Sequence, residues 1–192
     1  MKKDIILCGV GGQGILSIAT IIGEAATEAG LQLKQAEVHG MSQRGGDVQS
    51  NLRLSTEQIY SDLIPQGKAD LIISMEPMEA MRYVTFLDKE GCVVSSSEPF
   101  VNIPNYPDQE ALLKELGSYP KVVTLAIEQM AKDNQIPKSA NMILLGMAAP
   151  YIEILSADQL REAIKVIFGR KGDAVVKANL KAFDLGFKAT LS

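Results

Sequence analysis

The sequence predicts an α/β fold: a Rossmann-like, mostly parallel sheet with a hairpin-like insertion and a helical C-terminal extension. Three observations carry this expectation. Short apolar runs without alternation, such as Ile5-Ile6-Leu7-Cys8 and Leu71-Ile72-Ile73-Ser74-Met75, suit strands buried on both faces. Segments with three- and four-residue apolar spacing separate them, which is the rhythm of βα units. Beyond residue 126 the strand pattern ceases and only helical spacing remains. At 192 residues the chain reads as one domain, an α/β core over 1–126 followed by a mainly helical extension over 127–192.

Ile5 to Cys8 forms the first strand and Gly9 closes it. After Gly14, the residues Ile15, Ile18, Ala19, Ile22, Ala25 and Ala26 share one helical face, and Gly30 supplies the C-terminal stop. Leu31 to Val38 is the next strand, which makes the opening a βαβ unit. The chain then turns at Gly40 and at Gly45-Gly46. Val48, Ser50, Leu52 and Leu54 alternate as a strand whose expected hairpin partner is a short stretch at Ile59-Tyr60. Leu71 to Met75 is a buried strand, Pro77 opens a helix through Phe86, and Cys92-Val93-Val94 starts another strand. Pro99, Pro104 and Pro107 mark a loop, Asp108 caps a helix to Leu116, and Lys121 to Leu125 is the last strand. Ser156 and Gln159 make a capping box for a helix striped by Leu160, Ala163, Ile164, Ile167 and Phe168, and a final helix runs from Asp173 to Ala189.

With 46% apolar and 22% charged residues and a mean hydropathy of +0.08, the chain can enclose a core and is not disordered. A net charge of −4 gives no global attraction to nucleic acid or an anionic membrane, although residues 156–192 carry a small basic excess. Cys8 and Cys92 are the only cysteines, too few for a disulfide framework or a four-thiolate cluster. No run approaches the ~20 apolar residues of a membrane span. We expect a cytoplasmic protein with no nucleic-acid and no membrane partner.

Two clusters carry candidate chemistry. Gly9-Val10-Gly11-Gly12-Gln13-Gly14 satisfies G-x-G-x-x-G between a strand and a helix, where free N–H groups at the helix start attract an anion. Glu37 lies where a ribose-binding acid would follow the second strand. The same glycines equally serve close helix–sheet packing with no ligand. The second cluster, Glu37-Val38-His39-Gly40-Met41-Ser42-Gln43-Arg44-Gly45-Gly46, puts the one histidine, a glutamine and an arginine in a glycine-bracketed loop. The C-terminal edge of an open parallel sheet is where ligands and partners bind. A backbone-bonded loop histidine and an Arg44 paired with Glu37 or Asp47 are the plainer readings of the same residues. Neither cluster has metal-ligand spacing or a nucleophile–base order.

Together with Val48-Gln49-Ser50-Asn51-Leu52-Arg53, these clusters resemble the gamma domain of 2-oxoacid:ferredoxin oxidoreductases, in particular the small beta subunit of the indolepyruvate branch. Asn141-Met142-Ile143-Leu144-Leu145-Gly146 and Asn179-Leu180-Lys181-Ala182-Phe183-Asp184-Leu185-Gly186 extend the resemblance over nearly the whole chain. The resemblance implies a subunit of an enzyme acting on the oxo group of donors, in a CoA-dependent oxidative decarboxylation of an aryl 2-oxoacid. Thiamine diphosphate, Mg, iron–sulfur clusters and coenzyme A would be bound through a large alpha subunit, with ferredoxin reached indirectly. On this reading the chain has no catalytic residue or metal of its own and is inactive alone. A homodimer is the alternative assembly for the isolated subunit. The residues expected to bind ligand or partner are Gly11, Gly12, Gln13, Gly14, His39, Ser42, Gln43, Arg44, Gly45 and Gly46. The competing functions are a stand-alone Rossmann-type nucleotide-binding protein and a non-catalytic scaffold module.

Overall fold

The computed structural model describes residues 1–40 and 45–191. Six strands form one sheet: β1 (Lys2–Val10), β2 (Gln32–His39), β3 (Asp47–Ser55), β4 (Ala69–Ser74), β5 (Leu87–Ser96) and β6 (Val122–Leu125). Their order is β2-β3-β1-β4-β5-β6. From β1 to β6 every neighbouring pair is parallel, whereas β3 runs antiparallel to both β1 and β2. The mostly parallel α/β sheet is as the sequence predicts.

The hairpin partner differs from the expectation. β3 pairs with β2 itself, His39 opposite Val48 and Gln32 opposite Ser55, and its other edge is taken by β1, with Ile5 opposite Leu52. β3 is thus inserted between the two strands of the opening βαβ unit, and both of its edges are filled. No edge remains for Ile59-Tyr60, which lies in an irregular segment with Tyr60 86% exposed. Side chains of β3 hold that segment instead. Asn51 Oδ1 accepts from the Ile64 N–H at 3.1 Å, and the Arg53 guanidinium donates to the carbonyls of Ser61 and Leu63 at 3.1 and 3.0 Å. Arg53 also grips the fully buried Asp4 with two bonds of 2.8 and 3.0 Å, so the carboxylate's charge is matched where water is excluded.

Among the described residues, seven α-helices pack around the sheet, α1 (Ile15–Glu28), α2 (Pro77–Tyr83), α3 (Gln109–Leu116), α4 (Ile127–Asp133), α5 (Ala140–Ile152), α6 (Ala157–Gly169) and α7 (Asp173–Leu191), with short 3-10 turns at Val84–Phe86 after α2 and Pro137–Ser139 before α5. Ile5, Leu7, Leu71, Ile73 and Val94 point to the face packed by α1 and α5, while Ile6, Cys8, Ile72 and Val93 point to the face covered by α2, α3 and Ile64. α5 is apolar all round and buried along almost its whole length, as a helix must be when the sheet lies on one side and another helix on the other. That second helix is α7. A Cβ on Gly146 of α5 would lie 2.0 Å from the Phe183 carbonyl, and one on Gly186 of α7 would lie 1.9 Å from the Ile143 carbonyl, so only paired glycines permit this crossing. The capping box at Ser156 and Gln159 forms as the sequence predicts.

Candidate functional site

The turn after β1 is shaped by Gly12 and Gly14, whose φ values of +104° and +81° are left-handed and costly for any residue with a Cβ. Gln13 folds back over the turn. Its Oε1 accepts from the Val10 N–H at 2.7 Å and its Nε2 donates to the Met75 carbonyl at 3.4 Å, tying the end of β1 to the end of β4. The side chain of Gln13 is therefore committed to bracing the loop. Gly14 ends the turn as the N-cap of α1 without a side-chain capping bond, leaving that helix end to backbone geometry alone.

The structure brings the two sequence clusters together. Gly11 N–H donates to the Gly46 carbonyl at 2.8 Å, and Gly45 N–H donates to the Gly11 carbonyl at 3.3 Å. Val10 stands opposite Asp47 at the same end of the sheet, and Gly40 donates to the Asp47 carbonyl at 2.9 Å. His39 ends β2 at this edge. Met41, Ser42, Gln43 and Arg44, among them the candidates Ser42, Gln43 and Arg44, lie outside the described residues.

A third segment, which the sequence marks only as a proline-rich loop, closes over this junction. Asn102 Nδ2 donates to the Gly45 carbonyl at 2.7 Å. The loop that carries Asn102 is anchored by the fully buried Glu76, the N-cap of α2, which accepts from Glu79 N–H at 2.8 Å, from Phe100 N–H at 3.3 Å and from the Tyr106 hydroxyl. Glu79, 1% exposed, is bonded to Arg82 at 3.1 Å through one carboxylate oxygen, and the other oxygen has no partner among the described residues. Burial, reinforced by Glu76 and Asp47 and opposed by Arg82, raises its proton affinity above the ordinary carboxylate range. No sequence motif announces these groups.

Among the described residues, nothing supplies the second half of a dinucleotide site. β3 stands between β1 and β2, so Glu37, opposite Ser50 of β3, is removed by one strand from the position a ribose-binding acid takes beside the glycine loop. Cys8 is fully buried on β1, and desolvation drives its thiol far above its usual range. Cys92, 5% exposed, is pushed up to about 11 by burial. Both are packing thiols. Among the described residues no group of His, Cys, Asp and Glu could hold a metal ion, and no helix is long and apolar enough to cross a membrane.

A family model described as pyruvate ferredoxin/flavodoxin oxidoreductase matches residues 4–189. The indolepyruvate oxidoreductase subunit IorB of Pyrococcus horikoshii is 37% identical, the match covering 98% of this chain and 96% of that one. Among solved structures, the keto/oxoacid ferredoxin oxidoreductase gamma subunit of Geobacter sulfurreducens superposes with a TM-score of 0.71 at 26% identity and 98% coverage of both chains. The 2-oxoglutarate:ferredoxin oxidoreductase of Magnetococcus marinus, a structure holding 2-oxoglutarate, coenzyme A and succinyl-CoA, gives a TM-score of 0.76 at 25% identity. That match covers 99% of this chain but only 31% of the larger one.

Proposed function

The chain belongs to the pyruvate ferredoxin/flavodoxin oxidoreductase family as a small subunit of a 2-oxoacid:ferredoxin oxidoreductase, and from that premise we propose that it serves an enzyme of the indolepyruvate type. One gamma-type domain, residues 1–192, packs beside a large alpha subunit that carries the oxidative chemistry. The observation that carries this reading is the 37% identity with the IorB subunit over 98% of this chain and 96% of that one.

Iron–sulfur clusters do not fit this chain, and among the described residues no group of His, Cys, Asp and Glu could hold the Mg of thiamine diphosphate. The chain's two thiols are buried and stand on strands β1 and β5, separated by β4, and a cluster needs four ligands. We assign these groups, and the catalytic residues, to the large subunit, which hands electrons to ferredoxin and transfers the acyl group to coenzyme A. The small subunit contributes the edge built from Gly11 to Gly14 and Gly45-Gly46, with His39, Ser42, Gln43 and Arg44 as the groups that meet the partner or its bound coenzyme A. The hydrogen bonds between Gly11 and Gly45-Gly46 support this reading because they hold both clusters at one edge of the sheet. A free-standing dinucleotide enzyme is disfavoured by the inserted β3.

The test is anaerobic co-expression with the large subunit. Aryl-pyruvate-dependent dye reduction is expected from the pair and not from the small chain alone. Arg44→Ala should lower turnover or subunit affinity at least tenfold, since a charge-assisted hydrogen bond contributes roughly 1.5–3 kcal/mol, and should leave the melting temperature of the free subunit unchanged. Turnover or stoichiometric iron in the chain by itself would overturn the division of labour. An Arg44→Ala variant that mainly unfolds would reduce the loop to a structural turn.

A further inference from the structure

A cavity of about 540 Å³ opens on the α1 side of the glycine loop, between the first turns of α1, α5 and α7. It is lined by Gly12, Gly14, Ser17, Ser139, Asn141 and Asn179, together with the exposed Lys138 and Lys171. No Asp or Glu lines it, although the chain as a whole is acidic. Of the helix ends around it, α1 begins at Gly14 without a side-chain capping bond, whereas α5 continues directly from a 3-10 turn at Pro137–Ser139. Unsatisfied N–H groups at the start of α1 carry partial positive charge into this space. Ser139 adds an observation of another kind. It is 5% exposed, lines the cavity, and its hydroxyl makes no hydrogen bond among the described residues. A hydroxyl that opens to a cavity with no partner in the chain is free to bond what the cavity holds.

We propose that this cavity is a phosphate-binding site that takes the phosphate group of a phosphate monoester or free inorganic phosphate. The uncapped start of α1 and the Ser139 hydroxyl provide donors, and Lys138 and Lys171 provide the countercharge. Phe168, which has the Lys171 ammonium 5.2 Å above its ring, and Ala174, Val175 and Ala178 form an apolar flank, with room for the organic part of an ester. The site shares Gly12 and Gly14 with the edge assigned above to partner contact. It depends neither on the reaction nor on the large subunit.

The experiment is calorimetric titration of the full chain at constant ionic strength with inorganic phosphate and with adenosine monophosphate. Both are expected to bind in the cavity. Tighter binding of the nucleotide would identify an ester as the ligand, and equal or tighter binding of phosphate would identify the free anion. Lys138→Gln combined with Lys171→Gln changes only exposed side chains and should weaken binding at least tenfold with the ligand-free melting temperature unaltered. Ser139→Ala should weaken it several-fold, and Lys132→Gln, in the neighbouring cavity, should not change it. The proposal fails if neither compound binds at about 10 mM. It also fails if binding survives the double substitution, or if Lys132→Gln lowers binding as much as the double substitution does.

Discussion

The glycine loop separates two cavities of similar size and opposite character. On the α1, α5 and α7 side the walls hold two lysines and no carboxylate. On the other side, about 500 Å³ is enclosed by Gly11, Gln13, Met75 and the loop after β5, and there the charged groups are Glu98, Glu128 and Lys132. The contrast follows from how helix ends are satisfied. The first turn of α4 is closed by Glu98, whose carboxylate accepts from the Glu128 N–H at 2.6 Å and the Gln129 N–H at 3.2 Å. α1 has no such acid. A helix end already occupied by the chain's own carboxylate repels an anion, while an end left to glycine attracts one. One strand–loop–helix motif therefore carries opposite electrostatic roles on its two sides.

The largest effect should come from the crossing of α5 and α7, the helices whose first turns line the basic cavity. Gly146→Ala or Gly186→Ala would drive a methyl group into a facing carbonyl at about 2 Å and force α5 and α7 apart. Overpacking of this kind costs about 1–3 kcal/mol and sometimes more, against roughly 1 kcal/mol gained in helix propensity, and the rigid backbone on the other side points to the upper end. Urea unfolding should show a net loss of ~2 kcal/mol or more. Unchanged stability would mean that the crossing is looser than described. Gly14→Ala should cost less. Its φ of +81° imposes about 1–2 kcal/mol of strain, but the group its Cβ would meet, Asn141 Nδ2 at 2.7 Å, belongs to a side chain that can turn away. Combining it with Asn141→Ala should recover only the steric part, leaving a loss that a melting curve can resolve.

Much of this architecture is legible in the sequence, for reasons that vary with the element. β1 and β4 are unbroken apolar runs, and the α6 capping box is a local signal, so both can be read from neighbouring residues. The insertion of β3 between β1 and β2 cannot, because alternation fixes which face a residue takes but not which strand lies beside it. β5 begins at Leu87, earlier than expected, because Asp88, Lys89 and Glu90 are polar and precede the buried run from Cys92. At the candidate site, Gly11 and Gly46 are conspicuous as motifs, but Asn102 is an ordinary loop asparagine until the fold carries it to Gly45. Lys138, Ser139 and Lys171 come from two helix junctions far from the glycine loop. The basic excess of residues 156–192 is a trace of Lys171 alone.

Opening the acidic side should have an intermediate effect. Glu98→Ala removes both capping bonds from α4 and should destabilise the protein by about 1 kcal/mol, the usual cost of a lost N-cap acceptor. It would also leave Lys132 facing a cavity with one carboxylate fewer. If the contrast between the cavities is electrostatic, this variant should acquire weak phosphate affinity that the parent lacks on this side, seen as binding that persists in the Lys138→Gln/Lys171→Gln background. An unchanged melting temperature would show that Glu98 does not set the α4 end.

The smallest effect is a pH dependence confined to the acidic side. Burial first, and then the charge of Glu98, raise the proton affinity of Glu128 above the ordinary carboxylate value, with Lys132 opposing them. A carboxylate in the first turn of a helix ordinarily gains from the helix end, but here Glu98 already occupies those N–H groups, and repulsion outweighs the gain. For an acid whose folded value is raised, the stabilisation is fully present below its unfolded value and is lost as pH rises through the folded one. Glu128→Gln removes this penalty. It should match the parent near pH 4 and exceed it at neutral pH by a few tenths of a kcal/mol, a figure kept small because solvent screens a partly exposed group. Urea unfolding of the two proteins at about pH 4, 5.5 and 7 measures the difference, which should open in step with ionisation. A difference that stays constant across the range would mean that Lys132 neutralises Glu128, and the acidic cavity would then owe its character to Glu98 alone.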